Sequence, residues 1–128
     1  MVNIAALELL LSAGANPNAA DNCGRTPLML ATMQQRAWRP LVPILLSAGA
    51  DVHAHDTRGR TPLHYAWSGE PHHKTFRAAA VEEIGALLAA GASRTVRDGR
   101  GETPLERMRR KGDVRKAVRR MLQASHNQ

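Results

Sequence analysis

Few side chains in this sequence could do chemistry, and their spacing decides what kind is open to them. His72 and His73 stand beside Glu70, and imidazole with carboxylate suits zinc or nickel. Adjacent histidines in a loop converge poorly on one ion, so a solvated loop and no metal is the expectation there. Cys23 lies two residues before Arg25, and a nearby cation is one of the features that makes a thiol reactive. It is also the single cysteine, which excludes an internal disulfide and a cysteine-based zinc site and points to a reducing interior. The sequence has no Gly-x-Ser-x-Gly, no phosphate-cradling glycine loop and no His-Glu-x-x-His. The expectation is a protein that is not an enzyme and uses no cofactor.

Arginine is the chemistry that remains. The formal net charge is +7, from 18 Lys/Arg and 11 Asp/Glu. Residues 1–93 carry seven of each sign, whereas residues 94–128 carry eleven Lys/Arg and four Asp/Glu. The entire excess therefore sits in the last quarter of the chain. Guanidinium groups suit carboxylate and phosphate partners. The run Arg107-Met108-Arg109-Arg110-Lys111 has several readings: a solvated face, a surface for an acidic partner, a nucleic-acid site or a nuclear address. The stacking aromatics expected along a single-strand groove are absent from this quarter.

The elements that position these residues follow from composition and repetition. Only Trp38, Tyr65, Trp67 and Phe76 are aromatic, so Ala and Leu must fill most of the core, which favours closely packed helices. No apolar run is long enough to span a membrane, and no secretory signal is expected at the start. The segment Leu10-Leu11-Ser12-Ala13-Gly14-Ala15 returns as Leu45 to Ala50 and, with one change, as Leu87 to Ala92. A second block, Asp21 to Leu28, recurs as Asp56 to Leu63 and Asp98 to Leu105. In each Thr-Pro-Leu, Thr can cap a helix while Pro takes its first turn, where no amide donor is needed. Gly14, Gly49 and Gly91 suit left-handed helix caps, and Asp-x-x-Gly is a turn signal. Each unit is thus turn, short helix, second helix and extended link.

This pattern resembles the ankyrin repeat, whose signature is a turn, Thr-Pro-Leu-His-x-Ala, and a Leu-Leu-x-x-Gly-Ala helix end. The signature His is present only as His64, with Met29 and Glu106 at the equivalent positions. The resemblance implies an all-α ankyrin-repeat solenoid of stacked helix-turn-helix units joined by β-turn or hairpin links. The units are a half repeat over 1–20, repeats over 21–55 and 56–97, and a carboxy-terminal capping repeat over 98–128. In the last unit Val114, Ala117, Val118, Met121 and Leu122 are spaced as one apolar helix face. Leu7, Leu10 and Leu11 are expected to pack inward although the first helix of that repeat is missing. Either the chain is a fragment of a longer array or something else covers the open end. An insertion near 68–76 bulges as a loop and leads into a lengthened second helix over Thr75 to Ala90, and Pro43 falls in the first turn of the second helix before it.

The resemblance further implies a protein–protein interaction module that meets its partner on the concave side. The positions carried over are Asn22, Cys23, Arg25, Met33 and Gln34 in one repeat. In the next they are His55, Thr57, Arg58, Arg60, Tyr65 and Ser68, and in the last Arg97, Arg100, Glu102, Arg107, Arg110 and Lys111. Among these, Cys23, Arg25, Met33, Arg58, Arg60, Tyr65, Arg100, Arg107 and Arg110 are the candidate contact residues, with Tyr65, alone or together with Trp67, as an exposed aromatic anchor among arginines. His64 is expected to bond neighbouring turns. The partner expected is another protein with an acidic surface, in the cytoplasm, with the nucleus as the alternative. Binding of a polyanion or nucleic acid through the basic end, or a structural segment of a larger repeat protein, are the alternatives.

Overall fold

Each helix either begins or ends at a residue that the repeated blocks carry. In the structure, a computed structural model that describes residues 4–34, 41–66, 74–111 and 120, the helices are α1 (Ile4–Ser12), α2 (Pro27–Gln34), α3 (Leu41–Ser47), α4 (Pro62–Tyr65), α5 (Lys74–Ala89) and α6 (Pro104–Lys111). No strand occurs among the described residues. The prolines of the three Thr-Pro-Leu blocks open α2, α4 and α6. Helices α1, α3 and α5 close in one way, with Gly14, Gly49 and Gly91 at φ 94°, 95° and 95°. At the first of these, Gly14 N–H donates to Leu11 O at 3.1 Å and Ala15 N–H to Leu10 O at 3.0 Å. That pair of bonds satisfies carbonyls that a helix end otherwise leaves open.

The helices form two rows. In one, α2 packs on α4 and α4 on α6; in the other, α3 meets α5, and α2 closes onto α3 within its own unit. Between the rows lie Leu28, Leu45, Leu63, Ile84, Leu87 and Met108, all essentially without exposure. Each fully buried side chain of this size contributes roughly 1.5–3 kcal/mol. Ala31 and Ala66 are also buried, and their small side chains let the rows approach. Helix α4 spans only 4 residues, too short to persist alone; burial of all four holds it.

Helix α5 has 16 residues against 7 in α3, and its bounds fall one residue before each end of the stretch from Thr75 to Ala90. Pro43 is the third residue of α3, in the first turn as expected. The loop expected at His72 and His73, and the apolar helix face expected from Val114 to Leu122, fall on residues outside the described ones.

One expectation is corrected. Leu7 and Leu11 pack against the core, but Leu10 is 59% exposed and its neighbour Leu9 is 71% exposed. The corresponding Leu45 and Leu87 are buried, in units where α2 and α4 supply a first helix. Among the described residues no helix stands in that place beside α1.

Candidate binding site

The turns that carry the candidate residues are built on three aspartates. Asp21 Oδ1 accepts the amides of Cys23 and Arg25, each at 2.9 Å. Asp56 Oδ1 accepts those of Arg58 and Arg60 at 2.8 and 2.9 Å, and Asp98 Oδ1 those of Arg100 and Glu102 at 2.9 and 3.0 Å. The Arg25 amide is the main cause holding Asp21 below the usual carboxylate range. Burial works to raise Asp56 and Asp98, but the hydrogen bonds they accept outweigh it and both carboxyls are lowered. Successive turns are stitched together through the backbone, by Thr57 N–H to Cys23 O at 3.0 Å and Gly99 N–H to Arg58 O at 2.7 Å. A methyl group on Gly59, at φ 74°, would lie 3.0 Å from Gly99 N. Only glycine permits that turn both its left-handed backbone and this close approach.

The second Asp oxygen has a different fate in each turn. In Asp21 it pairs with Arg25 Nε of its own turn at 2.9 Å, in the open. In Asp56 it accepts the hydroxyl of Tyr65. In Asp98 it faces Arg60 Nε from the preceding turn at 3.8 Å, with the Asp98 side chain wholly buried and that of Arg60 11% exposed. That distance is too long for a hydrogen bond, and neither atom has another partner.

His64 joins two repeats. Its Nδ1 accepts the Thr61 amide at 3.1 Å, which leaves Nε2 to carry the proton and donate to Glu102 O at 2.9 Å. Burial lowers its pKa below 6.5, consistent with this neutral form. Glu106 occupies the same place in the next unit and takes over the capping task, its Oε2 accepting the Thr103 amide at 3.1 Å. That oxygen also accepts Arg97 Nη1 at 3.1 Å.

Against this frame, Arg58, Arg60, Gly99, Arg100, Arg107 and Arg110 line one open cavity of about 710 Å³. Arg107 is 8% exposed; its Nε donates to His64 O at 3.1 Å and its guanidinium lies 5.8 Å from the centre of the Tyr65 ring. Burial first, then the like charges of Arg60 and Arg110, pull Arg107 below the ordinary arginine value. Arg110 Nε donates to both oxygens of Glu102, at 3.2 and 2.9 Å. Arg58 and Arg100 are exposed at the rim. Counting Asp98 and Glu102 against the five arginines leaves three positive charges. Such an arrangement can bind oxyanions through bidentate guanidinium bonds.

The family described as ankyrin repeats, in three copies, matches residues 2–78. This chain belongs to the ankyrin repeat family. Residues beyond 78, including the last turn and α6, extend past the matched stretch. No curated protein matches the chain. Ankyrin repeats are generally protein–protein interaction modules and typically non-catalytic. Among the described residues, no group of His, Cys, Asp and Glu could hold a metal ion, and no helix is long and apolar enough to cross a membrane.

The ankyrin stack brings together five of the nine candidate contact residues: Arg58, Arg60, Arg100, Arg107 and Arg110. Cys23 and Arg25 lie one turn away and outside the cavity; Cys23 is an exposed free thiol and Arg25 is tied to Asp21. The side chain of Met33, like those of Gln34, Trp67, Ser68 and Lys111, falls outside the described residues. Two expectations of exposure are corrected. Tyr65 is 9% exposed and Arg107 8%, because the Tyr65 hydroxyl is drawn to the buried Asp56 and Arg107 closes over the ring. Tyr65 is therefore a support beneath the cavity and not an anchor in it. Gly99 is the lining residue that the sequence reading missed. Its signal was present: the other turns carry Asn22 and Thr57 where this one has glycine.

Proposed function

We propose that this ankyrin protein is an adaptor that binds an acidic segment of another protein at the arginine cavity between its last two described turns. The observation that carries the reading is that five arginines line one open cavity. Asp98, Glu102, His64 and Tyr65 pre-position three of them, so little ordering is left to oppose binding. The rim arginines Arg58 and Arg100 add long-range attraction and speed encounter. An interior setting, cytoplasmic or nuclear, suits the exposed thiol of Cys23. A linear nuclear address is less well supported, since Arg107 and Met108 of the basic run are buried within α6.

The test is fluorescence anisotropy with labelled poly-glutamate, comparing the wild type with the rim variant Arg58→Glu/Arg100→Glu. The wild type should bind, more weakly as salt rises, and the variant should lose roughly tenfold or more in affinity. Equal binding by both proteins would sink the cavity assignment. The excess charge of residues 94–128 favours a second reading, attachment to nucleic acid through the basic end. Its mark would be binding of single-stranded RNA with a steep salt dependence.

A further inference from the structure

We infer that the arginine cavity receives a phosphate monoester, carried on a phosphorylated Ser, Thr or Tyr of the acidic partner segment. The inference rests on the acidic-partner reading and names the group that fills the centre of that site. Charge is the first argument. The cavity keeps three uncompensated positive charges after Asp98 and Glu102 are counted. A single carboxylate brings one negative charge, whereas a phosphate monoester brings about 1.5 to 2 and three acceptor oxygens.

Geometry is the second argument. The bonds that hold Arg107 and Arg110, to His64 O and to Glu102, both leave from Nε. The paired terminal nitrogens of each guanidinium, which grip an oxyanion end-on, take no part in those bonds. Arg60 is nearly buried, yet its Nε makes no hydrogen bond, and Asp98 Oδ2 at 3.8 Å is its internal counter-ion. A donor kept inside the wall without an acceptor is costly in a site with no ligand, and an incoming oxyanion would relieve that cost. At Gly99 the lining is bare backbone, where a Cβ would meet Arg58 O at 2.9 Å. Nothing therefore projects from that position into the approach. The cavity of about 710 Å³ is larger than a phosphate group, which leaves room for the residue that bears it.

A nucleic acid fits this shape less well. Its phosphodiesters carry one charge each and are followed along a track, with bases stacked on aromatics. Here the arginines converge on one cavity, and no aromatic side chain is exposed among the described residues.

The test uses the full chain and a fluorescein-labelled acidic peptide in three forms, with central phosphoserine, serine or glutamate. Single-stranded RNA and inorganic phosphate serve as competitors. The phosphopeptide should bind at least about tenfold more tightly than the other two, the equivalent of one charge-assisted hydrogen bond. Inorganic phosphate should displace it, and Arg110→Gln, at an exposed position, should erase the preference while circular dichroism shows the helices intact. Equal binding of all three peptides would overturn the phosphate assignment while leaving the acidic-partner reading standing. Binding of RNA with no binding of any peptide would overturn both. Retention of the full preference in Arg110→Gln and in Arg60→Lys would also overturn the assignment to this cavity.

Discussion

Replacing Glu83 with glutamine should remove a loss of stability that the wild type suffers on going from neutral to mildly alkaline pH. Glu83 lies on α5 with Oε2 buried and without a hydrogen-bond partner among the described residues. Burial pushes its carboxyl from 4.5 up to about 8. Between those values the folded protein holds a proton that the unfolded chain has released, so stability falls as pH rises. One such proton is worth about 1.4 kcal/mol per pH unit. His64 acts with the opposite sign. Its folded pKa is lowered, by burial first, so below 6.5 the unfolded chain takes up a proton that the folded one refuses, and stability falls as pH drops. The two slopes oppose each other between 4.5 and 6.5, down to the folded pKa of His64. Above 6.5 the His64 slope dies away and, among the described residues, the Glu83 slope prevails, so from pH 6.5 to 8 the wild type should lose about 1.5 kcal/mol. Glu83→Gln should hold or gain slightly over that interval, and on the acid side it should expose the decline due to His64. Urea titrations followed by helical circular dichroism at pH 6.5, at pH 8 and at one value below 6.5 give the free energies directly. If the variant still loses as much as the wild type between pH 6.5 and 8, the fall does not come from Glu83 and the reasoning fails.

Three further outcomes follow from packing and turn geometry. Gly59→Ala should cost roughly 2–3 kcal/mol, since strain at positive φ is joined by a clash with the next turn. Gly14→Ala, whose Cβ meets nothing within 4 Å, should cost only the strain, about 1 kcal/mol; equal thermal shifts for the two would contradict the turn-stacking account. Tyr65→Phe keeps the ring under Arg107 but removes the donor to Asp56, and chemical denaturation should show a loss of about 1.5–3 kcal/mol. Leu10→Glu should change stability by less than about 0.5 kcal/mol because the side chain is 59% exposed, while Leu11→Ala should cost clearly more. A large loss in Leu10→Glu would mean that the end of α1 is covered.

The repeat, the starts of α2, α4 and α6, the ends of α1, α3 and α5 and the three turns are legible in the residues alone. These depend on groups a few residues apart: a proline in a first helical turn, a glycine at a helix end, an aspartate clamping the amides two and four residues ahead. Local geometry of that kind is legible without knowing what lies across the fold. It was equally enough to nominate the arginines, since turn-tip positions follow from the repeat register. What the register could not decide is which way each side chain settles. Leu30, Tyr65 and Arg107 occupy the same place, four residues after the Thr of their block, yet they are 36%, 9% and 8% exposed. Tyr65 is drawn in by a carboxylate nine residues away, and Arg107 by a carbonyl 43 residues away. The convergence of five arginines from two turns and a helix likewise arises only when the repeats stack. Burial and charge proximity are properties of neighbours distant in sequence, so the tertiary structure alone turned a scattered excess of arginine into a cavity.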